Sequence, residues 1–167
     1  MNIDSRIVDA IRKPGRDERR IDVDGTPLYV YCDNNVLEVR SSPSGIGTYY
    51  FSAHRLTTFP GKQYLEFSIK TKMPDDSRYP GIYAGELMRL AVEYFKRKKG
   101  VDGIYAKWEK KDDSDNYQQY QGAISQGLSR EEAAQQTWTG TQAQALGFRK
   151  PRFQSEDGAI VEFFFEK

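Results

Sequence analysis

The stretch Arg78-Tyr79-Pro80-Gly81-Ile82-Tyr83-Ala84-Gly85 places an arginine, a proline and two glycines directly before a helical pattern. The first amides of a helix lack intrahelical partners and sit at the positive end of its dipole, so a turn of this kind can seat anionic oxygens. Gly81 would let a ligand approach the backbone closely, and Pro80 would stiffen the bend. The same residues also make an ordinary steric turn. The stretch is neither a Walker A loop, which ends in Gly-Lys-Ser/Thr, nor a dinucleotide fingerprint, which needs a first strand before it and an acid beyond it.

Few other side chains invite chemistry. Cys32 and His54 are each unique in the chain, and a thiol beside an imidazole is a nucleophilic pair. Against this, a lone cysteine within a strand is more often a small buried hydrophobe. With one Cys and one His, a zinc site would need carboxylates almost throughout, so no metal is expected. Asp112, Asp113 and Asp115 lack the glycine and the distal glutamate of a calcium loop and read as a solvated turn. Arg12, Lys13, Arg16, Arg19 and Arg20 are interleaved with Asp17 and Glu18, which suits a solvated connector. Lys96 to Lys99 close a helix and complement its dipole.

The elements that position these residues follow from periodicity. Ile7, Ala10 and Ile11 predict a short N-terminal helix, stopped by Pro14-Gly15. The charged stretch to residue 25 reads as a turn-rich connector. Residues 28–31, 36–40 and 48–53 read as an antiparallel meander, broken at Asp33-Asn34-Asn35 and at Ser42-Pro43-Ser44-Gly45. Residues 64–73 alternate, with Leu65, Phe67, Ile69 and Thr71 on one face and Glu66, Ser68, Lys70 and Lys72 on the other. The helix after the turn carries Leu87, Leu90, Ala91, Tyr94 and Phe95 on one stripe, and residues 101–108 read as the next strand. Strand, turn, helix and strand make a crossover between parallel neighbours. Residues 111–126 are polar, a loop or a weak helix. Ser129 to Glu132 has capping-box spacing and opens a helix to about Leu146, ended by Gly147. Residues 159–166 form a final aromatic strand, an available edge on which two copies could pair. The fold class is α/β of the α+β type, with a mixed, mostly antiparallel central sheet.

In order and spacing these elements resemble the GNAT superfamily of acyl-CoA-dependent N-acetyltransferases over approximately residues 28–166. The family's loop is Gln/Arg-x-x-Gly-x-Gly/Ala at the start of a helix, matched by Arg78 to Tyr83 followed by Ala84. Its Leu-Gly-Phe is matched by Leu146-Gly147-Phe148. The resemblance implies acetyl-CoA, or another acyl-CoA, as cosubstrate. Arg78 and the backbone of Tyr79, Pro80, Gly81, Ile82, Tyr83, Ala84 and Gly85 would then hold its pyrophosphate, and the strand end at Lys70, Lys72 and Met73 would pair with its pantetheine arm. Glu66 would be the base that takes the proton of an attacking amine, although it also reads as a solvent-facing strand carboxylate. Two positions depart from the family. Tyr83 stands where Gly or Ala is usual, and Ala143 replaces the tyrosine that protonates the leaving thiolate, so either another group such as Tyr105, Tyr117 or Tyr120 supplies the proton, or the thiolate leaves unaided, or the chain does not catalyse acetyl transfer.

Bulk properties bound these expectations. A chain of 167 residues suits one domain. Its 25 basic and 24 acidic side chains leave a formal charge of +1, so no global field draws it to nucleic acid or acidic lipid. No apolar run after Met1 resembles a signal peptide, and the expectation is a soluble, cytoplasmic protein. An amine-bearing small molecule or protein is the expected acceptor. The alternatives are an interaction module on the same scaffold without catalysis, and a toxin or effector domain.

Overall fold

A computed structural model describes residues 3–43, 47–112 and 115–167. Ser44 and Gly45 of the expected turn, and Asp113 of the acidic run, lie outside them. The strands hydrogen-bond in the order β1 (Arg19–Val23), β2 (Thr26–Cys32), β3 (Val36–Arg40), β4 (Tyr50–Thr58), β5 (Lys62–Lys70), β6 (Gly103–Glu109), β8 (Ile160–Glu166) and β7 (Lys150–Asp157), in an open, mixed and mostly antiparallel sheet. The chain forms two compact units, Met1–Arg55 with Leu65–Gly100, and Leu56–Tyr64 with Val101–Lys167.

In the first unit, helix α1 (Ser5–Arg12) starts at Asp4, whose carboxylate accepts the Arg6 amide at 2.8 Å. It buries Ile7, Ala10 and Ile11 and packs against β1 (Arg19–Val23), β2 (Thr26–Cys32) and α2 (Ala84–Lys96). β1, β2, β3 (Val36–Arg40) and β4 (Tyr50–Thr58) pair antiparallel in succession. Alternation sends Ile21, Val23, Leu28, Val30, Leu37, Val39, Phe51 and Ala53 to one buried face. β5 (Lys62–Lys70), which belongs to this unit from Leu65 onward, follows, and then α2, whose Leu87, Met88, Leu90, Ala91, Tyr94 and Phe95 are buried.

In the second unit, β6 (Gly103–Glu109) and β7 (Lys150–Asp157) flank β8 (Ile160–Glu166), both antiparallel to it. Gly103 is required where the strands meet, since a Cβ there would lie 2.3 Å from the Phe165 carbonyl oxygen. Helices α3 (Asp115–Ser125), α4 (Arg130–Gln135) and α5 (Trp138–Ala145) pack on β6 and β7 and on one another. Trp108, Tyr120, Phe163 and Phe165 form the aromatic core.

Three expectations are corrected and one open alternative is decided. The charged connector contains a strand, β1, because Ile21 and Val23 point inward while Arg20 and Asp22 face solvent. The polar run after residue 111, for which a loop or a weak helix was open, includes the helix α3, and its polarity has a use. Asn116 and Gln119 accept the Thr139 and Trp138 amides at 2.9 and 2.7 Å, satisfying the first turn of α5. The helix expected from Ser129 to Leu146 is two helices, since the buried Thr137 ends one and caps the next. Finally, β8 is interior, and the edge is β7, a strand missed in the sequence. Pro151, the charges around it and an extra residue at Gln154 all discourage pairing on that edge.

Candidate active site

The residues before α2 form a compact turn. The Tyr79 amide donates to the Thr71 carbonyl at 2.8 Å, the Met73 amide to the Ser77 carbonyl at 2.7 Å, and Lys72 bridges Arg78. Two backbone groups at the strand end expected to meet a pantetheine arm are therefore used within the turn. The Ile82 amide reaches the Tyr79 carbonyl at 3.2 Å across Pro80 and Gly81, whose φ is +83°. Proline second and a left-handed glycine third are what a type II turn requires. A Cβ on Gly81 would also stand 2.5 Å from Leu28 Cδ1. Core packing accounts for this glycine, rather than close approach of a ligand.

α2 then starts at Tyr83, which has extended backbone and makes no side-chain cap. By contrast, Asp4, Ser129 and Thr137 each cap their helices with a side-chain oxygen. The first amides of α2, on Ala84, Gly85 and Glu86, thus have neither an intrahelical nor a side-chain acceptor at the N-cap. Arg78 is exposed, Lys70 and Lys72 are exposed at the strand end, and Met73, Tyr79, Pro80, Tyr83 and Gly85 are partly buried. Tyr79 stacks on Tyr49 with ring centroids 4.9 Å apart. The expected cofactor-binding residues are thus gathered in the first unit, with Ile82 and Ala84 anchored in its core.

Glu66 belongs to the same unit. Phe67 touches Phe51 of the buried face, with centroids 5.7 Å apart, so alternation turns Glu66 and Ser68 to the opposite face. That face also carries Tyr29, Tyr31, Glu38, Arg40, Ser52 and His54, as the registers Tyr29↔Arg40, Tyr31↔Glu38, Glu38↔Ser52 and Val36↔His54 require. Ser52 Oγ lies 2.6 Å from His54 Nε2. Glu38 is partly buried, and burial pushes its carboxyl up despite the neighbouring His54. Arg40 Nε is 3.0 Å from Glu38, and Arg40 also pairs with Glu18. Asp33 lies close by; burial would raise its carboxyl, but the Asn35 and Val36 amides and the Tyr31 hydroxyl outweigh that and lower it. The i, i+2 spacing of Ser52 and His54 in a strand was the available signal for this pair.

Cys32 and His54 do not form a nucleophilic pair. Cys32 pairs with Leu37 on the buried face and His54 is on the other; burial pushes the thiol up to about 12. Tyr105 is in the second unit, where its hydroxyl donates to Glu162, which also accepts from Ser155. Those two bonds hold Glu162 below the usual carboxylate range. Tyr120 is fully buried. Ala143 is buried too, and its carbonyl accepts the Phe148 amide at 2.9 Å while the Gly147 amide donates to Gln144 at 3.0 Å. Leu146-Gly147-Phe148 is therefore a Schellman cap with a buried Phe148.

No group of three or more His, Cys, Asp or Glu placed to hold a metal occurs among the described residues. Among them, no helix is long and apolar enough to cross a membrane. Comparison with known proteins returns no matching family model, no matching curated protein and no matching solved structure.

Proposed function

We propose that this chain is an acyl-CoA-dependent N-acyltransferase of the GNAT type, moving an acetyl group from acetyl-CoA to an amine. The observation that carries this reading is the bare N-terminus of α2. It directly follows the Arg78 turn and leaves amides free for a pyrophosphate where other helices of the chain use a side-chain cap. Glu66, partly buried in the same unit, is the proposed base. Ala143 stands where the family's tyrosine acid is usual, so the leaving thiolate lacks that proton donor. A thiol with a pKa of about 8.5 is acidic enough to depart as the thiolate without one.

A second reading, a binding module without catalysis, is favoured by one observation. Gly81 and Leu146-Gly147-Phe148, the residues that match the family, each have a sufficient architectural role in turn, core and cap.

Thermal unfolding with and without acetyl-CoA separates the two. Ligand at a hundredfold its Kd adds about 2.7 kcal/mol, a rise of several degrees for a chain of this size. The informative variant is Tyr83→Asp, whose carboxylate would cap α2 and repel a phosphate. It should unfold no earlier than the parent and lose the acetyl-CoA shift. A parent that shows no shift at millimolar acetyl-CoA would remove the acyltransferase reading.

A further inference from the structure

We infer that the turn joining β4 to β5, together with the basic end of the sheet beside it, docks the second unit on an anionic lipid surface. This goes beyond the acyltransferase reading and does not rest on it. Two independent observations meet here, one apolar and one electrostatic. Phe59, in the turn, is the large apolar side chain left fully in solvent among the described residues, and Pro60 and Gly61 after it are exposed as well. The Gly61 amide donates to the Thr58 carbonyl, which closes the turn with Phe59 and Pro60 at its apex. A ring so placed contributes nothing to the core, and residues 56–61 around it carry no charge.

The chain as a whole carries a formal charge of +1, but its charges are unevenly spread. The Asp102 amide donates to the Gln63 carbonyl at 2.7 Å, and Gly103 and Lys150 both stand in register with Glu166. The turn therefore lies at the end of the sheet where β5, β6 and β7 begin and β8 finishes. The segments of the second unit that meet there, residues 56–64, 101–104, 147–152 and 164–167, bring Lys62, Arg149, Lys150, Arg152 and Lys167 against Asp102 and Glu166. All five cations are exposed. Lys62 and Arg152 pair with Glu166 at 3.4 and 2.7 Å, while Arg149, Lys150 and Lys167 have no ion-pair partner among the described residues. An exposed ring beside uncompensated cations suits a lipid surface, since the ring enters the acyl boundary while the cations stay with the phosphates. A protein pocket would need walls shaped to one ring. A bilayer needs only that no charge enter with it, and the uncharged turn meets that condition.

Sedimentation of the full chain with vesicles tests this, using phosphatidylcholine mixed with phosphatidylserine in one series and phosphatidylcholine alone in the other. The chain should bind the anionic vesicles, reversibly and less as salt is raised, and leave the neutral ones largely in the supernatant. Phe59→Ala should weaken binding about tenfold or more, the loss of one buried ring, and Phe59→Trp should keep it. Arg149→Gln combined with Lys150→Gln should weaken binding roughly 25-fold, about fivefold for each cation. These side chains are exposed, so urea unfolding of each variant should match that of the parent, which separates lost docking from lost folding. The inference is overturned by no sedimentation with anionic vesicles, by equal sedimentation with phosphatidylcholine alone, or by a Phe59→Ala variant that binds as the parent does. The first of these outcomes would leave the turn to a pocket on another protein.

Discussion

Arg55 spreads its guanidinium over three carbonyls, those of Asn34, Gly100 and Phe95, at 3.2, 3.0 and 3.3 Å, and lies 5.0 Å from the centroid of the Phe95 ring. It thereby closes the C-terminal end of α2, where unsatisfied carbonyls and the negative dipole end favour a cation. Arg55→Ala should lower the unfolding free energy by about 2 kcal/mol, measured in urea. Arg55→Lys should recover little, because one ammonium on a flexible stem cannot reproduce the planar fork. Recovery of most of the loss by lysine would reduce the contact to charge alone. None of this was legible beforehand, since the carbonyls of Phe95 and Gly100 come from residues 40 and 45 positions away. Asp33 was legible: as first residue of Asp-Asn-Asn it accepts the Asn35 and Val36 amides at 2.7 and 2.8 Å, the local bonding that makes Asp a turn former.

Helices α4 and α5 divide where Thr137 Oγ1 donates to the Ala134 carbonyl at 2.7 Å and accepts the Gly140 amide at 2.9 Å. The division also depends on Gly140, where a Cβ would sit 2.1 Å from the Ala134 oxygen. Gly140→Ala should therefore destabilise by about 1–3 kcal/mol. Gly122, exposed in the middle of α3, has nothing within 4 Å of the same atom. There, alanine should stabilise by about 0.5–1 kcal/mol. Opposite signs for one substitution in adjoining helices, read from thermal melts, test whether packing rather than propensity sets the break. The start of α4 was readable because the capping box is local, Ser129 taking the Glu132 amide and Glu132 the Ser129 amide. The break was not, because Thr and Gly within a helical pattern acquire their meaning only from the turn that packs on them. β1 and β7 were missed for a related reason. Their alternation is spread over charged residues, and only the neighbouring strand shows which side is covered.

Across the whole molecule the carboxylates decide how stability responds to acid. Arg6, through side-chain and amide bonds, holds Asp4 at about 2. Ser77 lowers Asp75, Lys111 and Lys107 lower Glu109, and Ser155 and Tyr105 lower Glu162. Burial works to raise Asp33 and Glu166, but their hydrogen bonds and Arg152 prevail. A carboxylate depressed in the folded chain contributes stability above its unfolded value and loses it as pH falls through the folded one. Glu38 works the other way, since burial raises it. With six groups depressed against one raised among the described residues, urea unfolding free energies should be nearly level from pH 7 to about 5 and fall steadily from about 4.5 towards 2. A rise as pH falls from 7 to about 4.5 would mean that Glu38 outweighs the rest there, since its contribution is complete below its unfolded value. The meander, the long alternating strand and the α2 stripe were legible at this scale because their periods are regular, whereas the interior place of β8 depends on which strand returns beside β6, and no local pattern encodes that. One consequence reaches beyond the molecule. Because Gly81 is demanded by its left-handed turn and by Leu28 beneath it, selection would keep a glycine there in every descendant that still folds, whether or not it had ever met a nucleotide; the position records ancestry of shape, and the memory of any ligand must be sought at Tyr83.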